Sequence, residues 1–504
     1  MSDISLTHSY INILVFIYLS KSVYFYRHKA FKSNVNVSLI VNTLGKMTLA
    51  FSILILLPLI MAIYFNEDPT PFLITLAVSF VFGLLLISRK VESNVIRFKE
   101  GFAIVGLGWL IISILGSIPY FPYLSPIDAF FESISGFTTT GASIVDKPEF
   151  LPKSVLFWRA MTQWVGGIGI IMLFLLVIPS IAKGAVFQAE YPGITLIKIK
   201  PRIRDTALRL YAIYITLTFL EVLFLLLLGV PSFDAITHAF TTLSTGGYST
   251  HSQSIAYFSD WRVEIVVAIF ALMGGTNFSI FYFLFHRSYD VLRDEEFRIY
   301  VILIFILTAI ISLLNLSRYD IANSLRYSFF QVVSILTTTG YTTADFDEWC
   351  SGAKMLLLMA MFIGGCSGST AGGMKVIRLY ILLKYAIDQI IRSAEPKVVR
   401  VVKYGGVALK KEVIEGVVAF FILYVMIFTI SSMIIALHGY DLITAISATS
   451  ACLGNVGPGM GLAGASETYS HFPWTVKLLL CFDMWVGRLE IYTVLALFIP
   501  SFWK

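Results

Sequence analysis

Apolar residues in this chain gather into long runs instead of alternating with polar ones. Phe51–Phe65, Phe102–Ile118, Leu210–Val230 and Val413–Leu437 approach or exceed the roughly 20 residues that an α-helix needs to cross a bilayer. Windows along the sequence predict spans near 8–27, 46–65, 69–90, 101–120, 157–181, 209–230, 261–287, 297–316, 352–383, 412–438 and 473–501. The fold class they predict is an all-α polytopic membrane protein. Ser20, Lys21 and Ser22 interrupt the first run, which reads as a span or an interfacial helix. It lacks the basic start and the A-x-A site of a removable signal peptide.

Between certain pairs of spans lies a segment too polar and too short to cross, and each such segment ends in a Thr/Gly-rich turn. The turns read Phe137-Thr138-Thr139-Thr140-Gly141-Ala142, Leu243-Ser244-Thr245-Gly246-Gly247-Tyr248, Leu336-Thr337-Thr338-Thr339-Gly340-Tyr341 and Leu453-Gly454-Asn455-Val456-Gly457-Pro458. Each follows a helix-compatible stretch and precedes a tryptophan (Trp158, Trp261, Trp349, Trp474) and a further apolar run. The repeating unit is helix, re-entrant half-helix, turn, helix. Two adjacent glycines make the register of the second copy ambiguous. Asp128 and Asp234 each stand 13 residues before Gly141 and Gly247, which pairs Gly141, Gly247, Gly340 and Gly457.

Irregular backbone is tolerated at membrane depth only where protein buries it or it lines a watery cavity. Four such turns around one axis make a ring of carbonyl oxygens that can replace the hydration shell of an alkali cation. Glycine suits a position whose backbone angles are unusual and whose side chain would block the path.

Composition and charge agree with this topology. Of 504 residues, 57% are apolar and 13% charged, and the mean hydropathy is +0.81; soluble proteins carry about 25% charged residues. Lys and Arg gather in segments 27–46, 182–209 and 384–411, which predicts that these face the cytoplasm. Asn66-Glu67-Asp68-Pro69 and Asp345-Phe346-Asp347-Glu348 lean acidic and are predicted to face out. The net charge of +6 is thus a topological signature, not a nucleic-acid surface. The four cysteines are scattered, and the seven histidines lack metal-ligand spacing.

The strings FFESISGFTTTGAS at 130–143, HAFTTLSTGGYSTH at 238–251, FFQVVSILTTTGYTT at 329–343, GNVGPGMG at 454–461, GGCSGSTAGGMKVIR at 364–378 and GRLEIYT at 487–493 resemble segments of the Trk/Ktr/HKT superfamily of potassium transporters. Within it the chain is most similar to the Trk-type bacterial potassium uptake transmembrane subunit, from about residue 46 to the C-terminus. The resemblance implies four pseudo-symmetric units around one pore, with extra N-terminal helices. It implies K⁺ at a filter made by Thr139, Thr140, Gly141, Thr245, Gly246, Gly247, Thr338, Thr339, Gly340, Asn455, Val456 and Gly457. It also implies a homodimer in the bacterial cytoplasmic membrane and, as partner, a cytosolic TrkA-like ring with RCK domains that carries the regulatory nucleotide. No cofactor is expected in this chain. Sodium-favouring members often replace the first filter glycine with Ser, so the intact Gly141 points to potassium.

The boundaries that follow are 1–45 for an extra helix and cytoplasmic linker, 46–95 for a helix pair, and 96–200, 201–290, 291–400 and 401–504 for the four units.

Two gate candidates stand out. Gly364, Gly365, Gly368, Gly372 and Gly373 fall within ten residues of an apolar run. Each costs a helix about 1 kcal/mol relative to Ala, so a break is predicted just inside the filter, where the family carries an intramembrane gating loop. The near match of Gly368–Lys375 to a phosphate loop fails on Met374 and Val376 and on the missing strand. Arg488 lies in the last apolar run near Asp483 and Glu490. Intramembrane charges face the bundle interior and are functional by default. Arg488 is read as a pore arginine, with an ion pair to Glu490 or Asp483 as the other reading; Asp483 has no assigned role. The basic 384–411 loop is a candidate docking surface for the regulatory ring.

An enzyme is disfavoured, since no nucleophile–base pair or metal cluster is evident. A proton- or sodium-coupled cation symporter is the alternative; a broken-helix symporter predicts inverted repeats, whereas these turns all face one side.

Overall fold

The computed structural model describes residues 35–504 apart from 90, 92–95, 182–202 and 397–399, and the side chains of 170–181 and 203–207 are likewise not described. The expected span at 8–27 and most of the basic loop at 182–209 lie outside the described residues.

Helices α1 (Val37–Leu54) and α2 (Leu56–Tyr64) form one continuous span, and α3 (Thr70–Ile87) returns beside it. The span expected at 46–65 therefore starts nine residues earlier, and the boundary drawn at 45 cuts a helix. The cause is local: Asn36 Oδ1 accepts the Leu39 N–H at 2.9 Å and caps the helix there. Lys46 accordingly lies inside α1, not in a loop.

The rest of the described chain is a succession of similar segments. The first comprises α4 (Phe98–Gly116), α5 (Pro126–Phe137) and α6 (Lys153–Ile181); the second α7 (Ile203–Leu227), α8 (Ser232–Leu243), α9 (Trp261–Gly274) and α10 (Phe278–Phe285). The third comprises α11 (Glu295–Asn315), α12 (Ile321–Leu336), α13 (Ser351–Ile363) and α14 (Val376–Ala394); the last α15 (Lys411–Leu437), α16 (Leu442–Leu453), α17 (Trp474–Arg488) and α18 (Ile491–Leu495).

Long helices such as α11 and α15 expose Ile302, Phe305, Ile310, Ile422, Met426 and Met433, an apolar surface suited to lipid. The short helices α5, α8, α12 and α16, of 12 to 16 residues, are buried over their C-terminal halves. α5 packs on both α6 and α17, α8 on α6 and α9, α12 on α9 and α13, and α16 on α13 and α17. Each of the four thus bridges two of the helices that follow a turn, and α17 of the last segment returns to the first. Three of their starts are set by side-chain caps, at Ser125, Asp320 and Asp441, and α8 starts after Pro231. Several of their buried polar residues find backbone acceptors, as where Ser133 Oγ donates to Ser113 O at 2.7 Å.

Three expected spans are broken. The run 352–383 stops at Ile363 and resumes at Val376, as its glycines predict. The run 261–287 bends by 96° between α9 and α10, where Asn277 Oδ1 accepts the Ser279 N–H at 2.9 Å and starts a new helix. The run 473–501 ends its main helix at Arg488, because Glu490 takes a φ of +65°. The tryptophans are not equivalent either. Trp261 and Trp474 open their helices and are exposed, whereas Trp158 lies buried within α6 and donates to Gly116 O at 3.1 Å.

The segment between α14 and α15 carries a hairpin, β1 (Lys403–Tyr404) and β2 (Val407–Ala408), in the register Lys403↔Ala408 and Tyr404↔Val407. Gly405 and Gly406 both have positive φ, as a two-residue hairpin turn of this type requires.

Candidate functional site

Every short helix ends in a turn of the same backbone form. Thr139, Thr245, Thr338 and Asn455 have φ between 51° and 58°. Two residues later Gly141, Gly247, Gly340 and Gly457 have φ of 82°, 76°, 78° and 106°. Left-handed φ is uncommon outside glycine, and its recurrence at the same two positions aligns the four turns without ambiguity. The second copy aligns on Gly247; Gly246 is not in the left-handed region.

The turns also pack in a closed cycle. A Cβ at Gly141 would lie 2.1 Å from Gly246 O, one at Gly247 1.8 Å from Thr339 O, and one at Gly340 2.0 Å from Val456 O. A Cβ at Gly457 would lie 2.8 Å from Thr140 O, which returns to the first turn. All four glycines line a single cavity of about 140 Å³. The threonines reinforce the turns from within, since Thr138 Oγ1 and Thr140 Oγ1 bond at 2.7 Å and Thr337 and Thr339 repeat the contact at 2.7 Å.

Residues outside the turn motifs brace them. Gln163 donates to Gly246 O at 2.7 Å and accepts the Tyr248 N–H at 3.0 Å. Gln331 and Ser334 donate to Tyr341 O at 3.1 and 2.7 Å. Tyr469 donates to Gly457 O at 2.9 Å, and Asn455 Nδ2 to Thr140 Oγ1 at 2.9 Å. Behind the first turn, buried Arg159 pairs with Glu132 at 2.7 Å, Glu132 accepts the Ile144 N–H at 2.9 Å, and the guanidinium lies 4.2 Å from the Tyr248 ring centre. Apart from Asn455, which belongs to the fourth turn, these residues escape a reading based on turn motifs. Their one sequence signal is polarity inside otherwise apolar runs, as at Gln163 and Gln331.

The segment joining α13 to α14 lies against three of the turns. Thr370 Oγ1 donates to Leu243 O and Gly274 O at 2.9 and 3.0 Å. Gly372 N–H donates to Thr338 Oγ1 at 2.7 Å, and Gly373 N–H to Gly454 O at 2.9 Å. Gly364, Gly368 and Gly373 are left-handed, and a Cβ at Gly372 would lie 2.2 Å from Gly454 O. Gly365 is confined by space, 2.8 Å from Gly275 O by the same measure.

Arg488 meets this segment directly: its Nη1 donates to Thr370 O at 2.6 Å, while Nε and Nη2 have no hydrogen-bond partner. The neighbours that sequence offered it turn elsewhere. Glu490 pairs with Arg378 at 2.8 Å, and Asp483 accepts from Ser431 at 2.9 Å. No group of three or more potential His, Cys, Asp or Glu ligands occurs among the described residues.

Membrane-length helices joined by short buried helices, with irregular turns meeting in one cavity, define a polytopic membrane transport protein. The family described as "TrkH: Cation transport protein" matches residues 69–504, and the chain belongs to that family. It is 38% identical over 481 residues to the Trk system potassium uptake protein TrkH of Escherichia coli, covering 92% of this chain and 99% of that one. It is 36% identical over 479 residues to the TrkH of Halomonas elongata, with the same coverage of both. It is 33% identical over 482 residues to the E. coli TrkG, covering 93% and 99%. The crystal structure of the potassium transporter TrkH from Vibrio parahaemolyticus matches with a TM-score of 0.86 at 34% identity, covering 93% of this chain and all of that one. The chain is a transporter and not an enzyme.

Proposed function

We propose that this protein takes up potassium ions across the bacterial cytoplasmic membrane through a filter built from its four turns. The observation that carries the reading is the cyclic seam, in which each turn's glycine abuts a carbonyl of the next and the last returns to the first. Alternation of left-handed and ordinary φ along each turn brings successive carbonyls to one side, as a ring that substitutes for a hydration shell needs. The short helices direct their C-terminal, partially negative ends at the same region. The relatives' description as potassium uptake proteins names the ion.

In this reading K⁺ is held by backbone carbonyls at Thr139–Gly141, Thr245–Gly247, Thr338–Gly340 and Asn455–Gly457. The segment Gly364–Gly373 lies beneath the filter as a movable barrier, and Arg488 holds it at Thr370. The filter faces out and the hairpin side faces the cytoplasm, where a TrkA-like ring docks on a homodimer of this chain.

Purified protein in liposomes, under opposed K⁺ and Na⁺ gradients at several pH values, tests the reading. The reversal potential is expected to follow the K⁺ gradient alone. A potential that moves with the pH or Na⁺ gradient instead identifies a coupled symporter.

A further inference from the structure

The start of α11 carries three consecutive acids, Asp294, Glu295 and Glu296, and each holds a different element. Asp294 Oδ2 accepts from Tyr404 Oη of the hairpin at 3.1 Å. Glu295 Oε2 accepts from Tyr380 Oη of α14 at 2.8 Å and faces Lys384 Nζ at 3.6 Å. Lys384 in turn donates to the hairpin carbonyl of Lys403 at 2.9 Å. Glu296, 5% exposed, has Oε1 on two backbone amides: that of Ser367 inside the glycine-rich segment, at 2.7 Å, and that of Ile377 just beyond its end, at 3.3 Å.

This arrangement is more than a helix cap. Phe297 N–H is already taken by Asp294 Oδ1 at 3.0 Å, so the cap of α11 is complete without Glu296. Its carboxylate instead ties Ser367 inside the loop to Ile377 in α14, on either side of residues 370–373, which touch Leu243, Thr338 and Gly454. Among residues 364–373, Ser367 is thereby tied to α11, while Thr370 is tied to Arg488.

We propose that Glu296 is a positioning residue that pins the Gly364–Gly373 loop beneath the turns, and that the Asp294–Glu296 triplet transmits movement of the cytoplasmic hairpin to that loop. The inference rests on the reading of the loop as a barrier to potassium. A pull on the 403–408 hairpin acts through Tyr404 and Lys384 on the same short stretch of α11 that holds Ser367. Displacing that stretch loosens one end of the loop while Arg488 still holds its middle.

The test uses the full chain in K⁺-loaded liposomes and hydrogen exchange of the 364–378 segment. Glu296→Ala is expected to raise resting K⁺ efflux several-fold and to speed amide exchange at Ser367 and Ile377 at least tenfold. Glu296→Gln keeps an acceptor oxygen and is expected to remain close to the parent in both. Where Glu296→Ala does not fold, Glu296→Asp, still charged but one methylene shorter, is expected to show the faster exchange. A chain with the Gly364–Gly373 loop shortened serves as reference. If the shortened loop leaks but folded Glu296→Ala (or Glu296→Asp) matches the parent in efflux and exchange, the role given to Glu296 is wrong and the barrier reading stands. If the shortened loop does not leak, the barrier reading fails and the clamp with it.

Discussion

Arg488 donates its Nη1 hydrogen to the carbonyl oxygen of Thr370 at 2.6 Å, so two features 118 residues apart in the chain form one object. The guanidinium is buried, and Nε and Nη2 are left without hydrogen-bond partners. That is costly for a charge.

The first prediction concerns that contact. A hydrogen bond to a charged group is worth about 2 kcal/mol, and one factor of ten corresponds to about 1.4 kcal/mol. Arg488→Ala is therefore expected to keep its fold and raise resting K⁺ flux roughly 30-fold. Folded protein with parental flux in liposomes would remove Arg488 from the gate.

The second concerns the ion pair that Arg488 does not make. Arg378 and Glu490 meet at 2.8 Å with the arginine side chain 5% exposed, and the guanidinium lies 4.0 Å from the Phe420 ring centre. Breaking a buried pair from one side costs on the order of 3–5 kcal/mol. Arg378→Met is expected to lower the thermal unfolding temperature markedly, and Arg378→Met with Glu490→Gln to recover much of it. A double variant as unstable as the single one would show that the pair is not what holds α14 to the end of α17.

The third concerns Gly141. A Cβ there would lie 2.1 Å from Gly246 O, and its φ is 82°. Gly141→Ser is expected to disturb the first and second turns together and to reduce the preference for K⁺ over Na⁺. Relative permeability from reversal potentials decides the matter, and an unchanged ratio removes Gly141 from the filter.

A fourth follows from the loop. Shortening Gly364–Gly373 removes the contacts to Thr338, Gly454 and Leu243. Resting K⁺ flux is expected to rise, with K⁺ over Na⁺ preference retained because the four turns are untouched. Flux at or below the parental level in well-folded protein is the contrary result.

Much of this architecture was legible in the sequence because glycine records geometry. Gly141, Gly340 and Gly457 stand where both angle and space admit nothing larger, and the aspartates at 128 and 234 supplied the register of Gly247. The left-handed residues two places earlier were not legible. Thr139, Thr245 and Thr338 carry no mark of positive φ, and their strain is sustained by the packing around them. The bend after α9 was written in Gly274-Gly275-Thr276-Asn277 but drowned in the apolar residues on either side. The partner of Arg488 was hidden for a different reason. Sequence offers only neighbours, and the φ of Glu490 turns the nearest acid toward Arg378 instead. A backbone carbonyl such as Thr370 O leaves no trace in residue identity.

Three of the four helices that follow a turn are interrupted, and the break between α13 and α14 carries a loop that bonds to three turns at once. An assembly of four identical chains would deliver four copies of that loop to the same space. A single methyl group on Gly372 would already stand 2.2 Å from Gly454 O, so the one loop present is fitted closely against the fourth turn. Joining the quarters in one polypeptide makes stoichiometry heritable: one such loop is encoded per chain, and a mutation in it reaches three of the four turns at once.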